Sequence, residues 1–418
     1  MASILFATVG SWGDLFPFVG VAAELQRRGH DARIAASPAW RDIVTAAHTE
    51  FVPIGRPIGF DEFRQHPEIF GRLPFGLRAA LNRFVFDQID VLTEDLASAM
   101  DGVDLVVAHP AQLAAMNIAE RFGTRRVVGT IFPSMIPSSY TVPGGSPVGP
   151  WSGTLGRVAN KAAWVNASAV TALLFDRPIN RHRRQLGLDP IRGAIIRLPL
   201  QADAMVVMAP PDIVGRPPDL PHHIVFTSFV GWDGGADRPL TSGTNAFLEA
   251  GDAPVLVTLG ASSAVAAEDF FDHVTREVVD AGARALVVTG PAPPPEGRFD
   301  RDVVHVTDFE PFSNLAHRCR AAVHHAGIGT TIAVMRAGVP HLAVPRGFDQ
   351  PQTAGLIEKL GVGVTVSWRH RRRGIRPGLE RLLRDERLRV SAERLRETLG
   401  DDGAPPSANA VERCLNTP

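Results

Sequence analysis

The stretch AAVHHAGIGTT, residues 321–331, joins an apolar run typical of a buried strand to a run typical of a helix. Glycines at such a junction leave backbone N–H groups open to an anion, and the N-terminus of the helix adds a positive partial charge. The imidazole of His325 and the hydroxyl of Thr330 therefore suit a pyrophosphate. Beyond the next predicted strand, Asp349 and Gln350 offer acceptors and donors to a polyol. Together the two segments predict a site for a nucleotide sugar.

The length and composition of the chain limit the classes of protein it can be. Its 418 residues favour two or three domains, and a formal net charge of −1 gives no case for nucleic acid or an anionic membrane as a partner. Two cysteines predict no disulfide framework, and no third ligand is spaced to complete a zinc site with the paired histidines. We find neither a leader segment nor a run of about 18 apolar residues. We therefore expect a cytoplasmic protein without stable membrane insertion.

Short β-rich runs alternate with helical patterns along the whole chain, which is typical of parallel α/β architecture. Each half opens with a strand that runs into a glycine turn, at Gly10 and at Gly260. The predicted strands are 4–8, 32–36, 105–108, 127–131 and 205–208 in the first half, and 255–259, 285–289, 303–306, 321–324, 341–344 and 362–366 in the second. The pattern predicts two Rossmann-like units of comparable size.

A Pro/Gly/Asp-rich stretch over residues 210–244 marks the predicted boundary between the two units. We expect an N-terminal domain over 1–215, a linker over 216–244, a C-terminal domain over 245–390 and a terminal helical segment over 391–418.

Two long aromatic-bearing segments, residues 56–75 and 132–151, distinguish the first half from the compact second half. Long loops in an α/β domain usually carry binding surface, so we interpret these segments as walls for an apolar ligand. The aromatic residues predicted to contact it are Trp12, Phe60, Phe63, Phe70, Phe75, Phe132 and Trp151. Ordinary core packing is the alternative interpretation of these side chains.

The turn after the first strand, residues 10–17, reads GSWGDLFP. Its G-x-x-G spacing departs from the G-x-G-x-x-G of dinucleotide-binding turns, which disfavours an oxidoreductase. Asp14 has two interpretations: it caps a helix predicted over residues 17–28, or it is a general base that faces the other domain across a cleft.

These two motifs carry a resemblance to a known family. Residues 10–17 resemble the G-S-x-G-D-x-x-P signature of antibiotic, sterol and rhamnolipid glycosyltransferases, and residues 306–350 resemble the donor signature of the same family. Essentially the whole chain is similar to the GT-B glycosyltransferases of nucleotide-sugar-dependent family 1, which includes the vancomycin-type enzymes. The resemblance implies two facing Rossmann-like domains with parallel sheets and a C-terminal helix that packs back on the N-terminal domain.

The resemblance also implies an activity and a set of contacts. It implies inverting transfer from a UDP- or dTDP-sugar to an apolar small-molecule acceptor, a natural product or lipid-like alcohol, without a metal or other cofactor. Asp14 matches the general base of this family. The implied donor contacts are Ser262 near the phosphates, Phe309 stacked on the base, Glu310 through its backbone, His325, Gly327, Gly329 and Thr330 at the diphosphate, and Asp349 and Gln350 at the hexose hydroxyls.

Several alternatives stay open from the sequence. His109 stands where the His-using branches place an acidic partner, so His109 as the base oriented by Asp14 is an alternative, as is a simple turn residue. Ala326 replaces the commoner glycine. The Asp-x-Asp at 300–302 lies in a polar loop, and we expect no metal there. A sugar-nucleotide epimerase and a catalytically silent partner protein are the competing functions, and a homodimer is left open.

Overall fold

The computed structural model describes residues 1–71, 73–146, 149–234, 238–267, 269–400 and 402–416. Two sheets, each with parallel strands throughout, organise this part of the chain. The first has the order β3-β2-β1-β4-β5-β6-β7 and consists of β1 (Ser3–Ala7), β2 (Asp31–Ala36), β3 (Glu50–Pro53), β4 (Leu105–Ala108), β5 (Arg125–Thr130), β6 (Ala204–Val207) and β7 (Ile224–Phe226). The second has the order β10-β9-β8-β11-β12-β13 and consists of β8 (Val255–Thr258), β9 (Ala285–Val288), β10 (Val304–Thr307), β11 (Ala321–His324), β12 (His341–Ala343) and β13 (Gly363–Thr365).

Helices cover the faces of both sheets. Those of the N-terminal half are α1 (Trp12–Arg27), α2 (Arg41–Ala46), α3 (Phe60–Gln65), α4 (Phe75–Phe84), α5 (Ile89–Ala99), α6 (Leu113–Phe122), α7 (Gly153–Gln185), α8 (Ala194–Leu200) and α9 (Pro211–Val214). Those of the C-terminal half are α10 (Ser242–Glu249), α11 (Phe270–Asp280), α12 (Phe312–Leu315), α13 (Ile328–Ala337), α14 (Gln350–Lys359), α15 (Arg371–Arg384), α16 (Glu386–Thr398) and α17 (Ala404–Asn416). None of the described helices has the length and apolar character needed to cross a membrane.

The central strands explain why this sequence forms covered parallel sheets. Every residue of β4, β8, β9 and β11 is buried, as expected for strands with helices on both faces. In the second sheet, Val323 pairs in register with Val257, and neither is accessible to solvent. Burying each such valine contributes about 1.5–3 kcal/mol. The sheets are therefore rigid platforms whose strand ends can hold side chains in fixed positions.

The structure differs from the sequence interpretation at the domain boundaries. β7 lies within the predicted linker and pairs with β6, so the first sheet extends beyond residue 215. In the terminal segment, α16 packs on α13 of the second domain, whereas α17 packs on α1, β5 and β6 of the first. The Arg28 guanidinium lies 2.7 Å from the Glu412 carboxylate across the contact between α1 and α17. The predicted terminal segment is therefore divided between the two domains.

The first helix also begins earlier than predicted. We expected Pro17 to open it, but α1 starts at Trp12 and contains Pro17 in its interior. Ser11, in an extended conformation, is the N-cap residue. This places Asp14 in the first turn of α1, at the carboxyl end of the first sheet.

Candidate active site

One large cavity separates the two domains and is lined by both. It has a volume of about 910 Å³, and its wall includes the turns that follow β1, β4 and β5 in the first sheet and β8, β10, β11 and β12 in the second. Open α/β sheets bind ligands at the carboxyl ends of their strands. Here two such edges face the same space, and this arrangement brings the candidate residues of both halves together.

Asp14 reaches this cavity from the first turn of α1. One carboxylate oxygen, Oδ2, accepts a hydrogen bond from the Ser11 N–H at 3.0 Å, as in a helix cap. The other oxygen, Oδ1, lies 3.5 Å from Nε2 of His109. Gly10 makes room for this arrangement, because a Cβ there would lie 2.3 Å from Oδ2. The two interpretations of Asp14 are therefore compatible: one oxygen caps the helix, and Asp14 is also part of the cavity wall.

His109 follows β4 and is buried beside Asp14. Its Nδ1 accepts a hydrogen bond from the Ala111 N–H at 3.2 Å, so in the neutral ring the proton is on Nε2. Nε2 lies 3.5 Å from Oδ1 of Asp14, which is longer than an ordinary hydrogen bond, and has no hydrogen-bond partner among the described residues. A neutral His109 with this tautomer has no free lone pair for a substrate proton.

The diphosphate candidate His325 is held between two glycines. A Cβ at Gly327 would lie 2.3 Å from Nε2 of His325, and a Cβ at Gly260 would lie 2.7 Å from its Cε1. Burial lowers the pKa of His325 to about 4, so the ring is neutral near pH 7. Its Nδ1 is buried without a hydrogen-bond partner in the described part of the chain. The ring therefore has unused hydrogen-bonding capacity at the cavity wall.

The N-terminus of α13 lies beside this histidine. Gly327 is the N-cap residue, and the Thr331 N–H donates to the Gly327 carbonyl at 2.9 Å. The N–H groups of residues 328–330 precede that bond and have no acceptor within the helix. Gly329 and Thr330 both line the cavity. The turn thus combines free N–H groups with the positive end of a helix, which is the arrangement predicted for a diphosphate.

The neighbouring His324 supports the glycine turn from within the domain, a role that was not predicted from sequence. It is fully buried, its Nδ1 accepts from the Ala326 N–H at 3.1 Å, and its Nε2 lies 2.9 Å from Nδ1 of His341. Burial lowers the pKa of both rings, that of His341 to about 3. The neutral pair holds Ala326 at φ 63°, a left-handed conformation that is more usual for glycine. A histidine in each of two adjacent strands, His324 directly before the glycine turn and His341 at the start of β12, was the signal for this support.

Asp349 and Gln350 follow β12, as predicted, but their side chains have different environments. Both line the cavity. Burial, and to a smaller extent the negative charge of Asp14, raise the pKa of Asp349 to about 7. The amide of Gln350 is turned into the protein: Oε1 accepts from the Arg346 and Gly347 N–H groups at 2.8 and 3.1 Å, and Nε2 donates to Oγ of Ser263 at 3.2 Å. This differs from the implied role of Gln350 at the hexose hydroxyls.

Phe309 and Glu310 follow β10 at the other end of the cavity. The Phe309 ring is met by Trp12 at 5.6 Å between centroids and by the Arg238 guanidinium at 4.6 Å from the ring centre. The buried Glu310 carboxylate accepts from Oγ1 of Thr241 at 2.6 Å and from Oγ1 of Thr244 at 2.5 Å. Its side chain therefore anchors the start of α10, and only its backbone is left to meet a base. Ser262, after β8, also lines the cavity.

The predicted aromatic wall divides into three groups. Trp12, Phe63 and Phe132 line the cavity. Phe60 packs against Trp12 and Trp40 with ring centroids 4.9 Å apart in each case, and Phe70 packs against Phe348 at 6.0 Å.

Phe75 and Trp151 do not belong to the wall, because they are 68% and 45% exposed and lie outside the described cavity lining. For these two side chains the sequence identifies a loop that bears an aromatic residue, but not the direction in which the side chain lies. The wall also contains a face of α7 that was not predicted, with Trp164 and Val170. The helical spacing of these apolar residues was the available signal.

Among the described residues, no group of three or more His, Cys, Asp or Glu side chains is arranged to hold a metal ion.

Comparison with known proteins identifies the family. The family described as "Glycosyltransferase family 28 N-terminal domain" matches residues 4–121, and that described as "Erythromycin biosynthesis protein CIII-like, C-terminal domain" matches residues 295–416. A dTDP-epi-vancosaminyltransferase of Amycolatopsis orientalis is 30% identical over 377 residues, which cover 87% of this chain and 85% of that protein. Glycosyltransferase GtfE of the same organism is 29% identical over 432 residues, covering 98% and 96%.

Solved structures agree with this fold. The spinosyn forosaminyltransferase SpnP has a TM-score of 0.71 at 17% identity, with 100% of both chains covered. Glycosyltransferase VinC, in complex with dTDP, has a TM-score of 0.68 at 18% identity, with 99% of both chains covered. Fold and site together define a glycosyltransferase of the GT-B class. The chain belongs to the family of antibiotic glycosyltransferases that includes the vancosaminyltransferase, which confirms the resemblance and the fold predicted from sequence.

Proposed function

We propose that this glycosyltransferase moves a sugar from a UDP- or dTDP-sugar to a hydroxyl of an apolar small molecule, with inversion at the anomeric carbon and with Asp14 as the general base. One observation carries the proposal. Asp14 and the His325 turn come from opposite domains and line the same cavity. A base on one side of the anomeric carbon and a diphosphate site on the other is the geometry that an in-line displacement requires.

The donor side of the proposal rests on the unused groups of the diphosphate turn. In the transition state, negative charge builds up on the departing diphosphate. The neutral His325 ring and the free N–H groups at the start of α13 can stabilise that charge without reorganisation. The similarity of this chain to a dTDP-epi-vancosaminyltransferase supports a nucleoside diphosphate sugar as the donor.

Asp14 is preferred to His109 as the general base because only Asp14 has a lone pair free to accept the proton of a substrate. Within the described part of the chain, the Asp14 Oδ1 atom accepts no hydrogen bond of ordinary length, with His109 Nε2 at 3.5 Å. Both ring nitrogens of a neutral His109 are already committed, Nδ1 to the Ala111 N–H and Nε2 to its own proton. We therefore assign proton removal to Asp14 and an orienting contact to His109, the reverse of the alternative considered above.

The acceptor side follows from the apolar wall. Phe63, Phe132, Trp164 and Val170 surround the end of the cavity that belongs to the N-terminal domain. An apolar aglycone gains free energy by leaving water for such a wall, whereas a sugar acceptor would lose hydrogen bonds there. A natural product or lipid-like alcohol fits this chemistry.

The test is Asp14→Asn, which keeps an oxygen for the Ser11 N–H but removes the base. We expect kcat to fall by about 10²–10⁴, the usual worth of general base catalysis, with the dissociation constant of the nucleoside diphosphate unchanged within about twofold. Asp42→Asn, in the first turn of α2, is the matched control and should change neither value. A near-normal kcat for Asp14→Asn would remove Asp14 as the base.

A further inference from the structure

The loop that carries Asp349, residues 344–350, contacts a residue of the N-terminal domain; we call it the sugar-binding loop. Three consecutive residues before Asp349 meet Phe70, which is buried in the N-terminal domain. The Arg346 guanidinium lies 5.1 Å from the Phe70 ring centre, and the Phe348 ring lies 6.0 Å from it at an interplanar angle of 79°. Between them, Gly347 approaches so closely that a Cβ there would lie 2.8 Å from the Phe70 carbonyl oxygen.

This contact has a consequence for the backbone beside Asp349. Phe348 has φ 54°, a left-handed conformation that costs free energy for a bulky residue and persists only where the surroundings compensate. Phe348 packs against the apolar core cluster of the N-terminal domain, so its compensation comes from the other domain. Asp349 is the next residue, and its backbone direction depends on that conformation.

Contacts within the C-terminal domain also fix the sugar-binding loop. The Gln350 amide binds the N–H groups of Arg346 and Gly347 and the Ser263 hydroxyl. The diphosphate turn differs from this loop, because its His325 ring is held between Gly260 and Gly327, both in the C-terminal domain. The Asp349 loop thus contacts Phe70 directly, whereas the His325 ring is held by glycines of its own domain.

We propose that Phe70 is a positioning residue for the sugar-binding loop, so that sugar recognition by Asp349 depends on the contact with Phe70 while diphosphate binding does not. This inference rests on the proposed function, since it takes the cavity to hold a nucleotide sugar. It assigns Phe70 a role that differs from the acceptor contact expected from sequence. Of Asp349 and Gln350, it leaves Asp349 as the residue whose side chain contacts the sugar.

Gly347→Ala tests the proposal by inserting one methyl group between the domains. Gly347 is not among the glycines with positive φ, so alanine fits the backbone, and the methyl group meets the opposed carbonyl of Phe70 at close range. Gly355→Ala, in α14, is the matched control, because a Cβ there meets no described atom within 4 Å. Phe70→Leu is the second test variant, since it removes the aromatic contact with little loss of volume.

The measurements are calorimetric titrations with UDP, dTDP, UDP-glucose and dTDP-glucose, and hydrogen exchange of the unliganded proteins. We expect both test variants to lower the affinity for the nucleotide sugar about tenfold, the scale of a lost aromatic pair. Their affinity for the nucleoside diphosphate should change by less than about twofold. Exchange should rise in residues 344–350 and not in residues 325–331. Gly355→Ala should behave as wild type in both measurements.

Different failures have different meanings. Equal weakening of diphosphate and nucleotide sugar, or faster exchange throughout the domain, would identify Phe70 as ordinary core packing and overturn the proposal. Unchanged exchange of residues 344–350 in both variants would also overturn it. Failure of the wild-type protein to bind either UDP or dTDP would instead remove the proposed function on which the inference rests.

Discussion

The substitution Gly327→Ala should disable the diphosphate site by displacing one ring. Gly327 has φ −65° and ψ 139°, a conformation open to any residue, so alanine introduces no backbone strain. Its Cβ would lie 2.3 Å from Nε2 and 2.8 Å from Cε1 of His325. Non-bonded heavy atoms prefer separations of about 3.5–4.0 Å, so the imidazole must leave its place.

The magnitude follows from the hydrogen bond that is lost. A hydrogen bond to a charged group contributes about 1.5–3 kcal/mol, which corresponds to a loss of about 10- to 150-fold in affinity for UDP or dTDP. His325→Ala should cost a similar factor. Once the ring is gone, the methyl group introduced by Gly327→Ala has space, so adding that substitution to His325→Ala should cost almost nothing.

The assay is calorimetric titration of the four proteins of this double-mutant cycle with UDP and dTDP, with thermal unfolding to verify that each is folded. Gly355→Ala again serves as the control for a glycine substitution without a close neighbour among the described atoms. Wild-type affinity in Gly327→Ala would refute the reasoning. So would additive losses in the double variant, because they would mean that Gly327 acts independently of His325.

Three further predictions concern the rest of the cavity. His109→Asn should lower kcat about tenfold, less than Asp14→Asn, because His109 only orients the base; steady-state kinetics with an equal loss for both variants would contradict this. Asp349, with a folded pKa of about 7, keeps a proton that the unfolded chain loses from about pH 4 upward. The wild-type protein should therefore lose stability relative to Asp349→Asn as the pH rises from about 5 to about 7, and parallel melting temperatures at both pH values would argue against the raised pKa. Phe75→Ser should leave the KM of the acceptor unchanged and Phe132→Ala should raise it, since of the two only Phe132 lines the described cavity; initial rates at varied acceptor concentration decide between them.

The central strands were predictable from sequence because their pattern has a direct physical cause. Strands covered on both faces need continuous apolar runs, and β4, β8, β9 and β11 consist of such runs. The two missed strands, β3 and β7, lie at the edges of the first sheet, are only partly buried and are short. Because neither carries the longer apolar run of a strand covered on both faces, the sequence does not separate these two strands from loops.

The start of α1 shows how a strong local rule can mislead. Proline is favoured at the first position of a helix, and this preference predicts a start at Pro17. The pattern Ser-x-x-Asp at residues 11–14 was the better signal, because it fits the cap observed at Ser11.

For the candidate site, the segments that meet were predictable, but the directions of their side chains were not. The convergence of strand ends brought Asp14, His325 and Asp349 to one cavity, as expected for parallel sheets. It did not reveal that Gln350 turns inward or that Phe70 meets the sugar-binding loop, because these contacts join residues distant in sequence. Side-chain direction in long loops is set by tertiary packing, and no local pattern encodes it.

The most direct test of the central claim is analysis of the product formed from UDP-glucose or dTDP-glucose and a panel of apolar natural products that carry hydroxyl groups. The wild-type protein should release nucleoside diphosphate only when an acceptor is present. It should yield an O-glucoside with the β configuration at the anomeric carbon, opposite to that of the α-linked donor, as reported by the NMR signal of the anomeric proton. An α-linked product would contradict in-line displacement with Asp14 as the base. Release of nucleoside diphosphate at the same rate without any acceptor, and with no glucoside formed, would contradict transfer to an apolar acceptor.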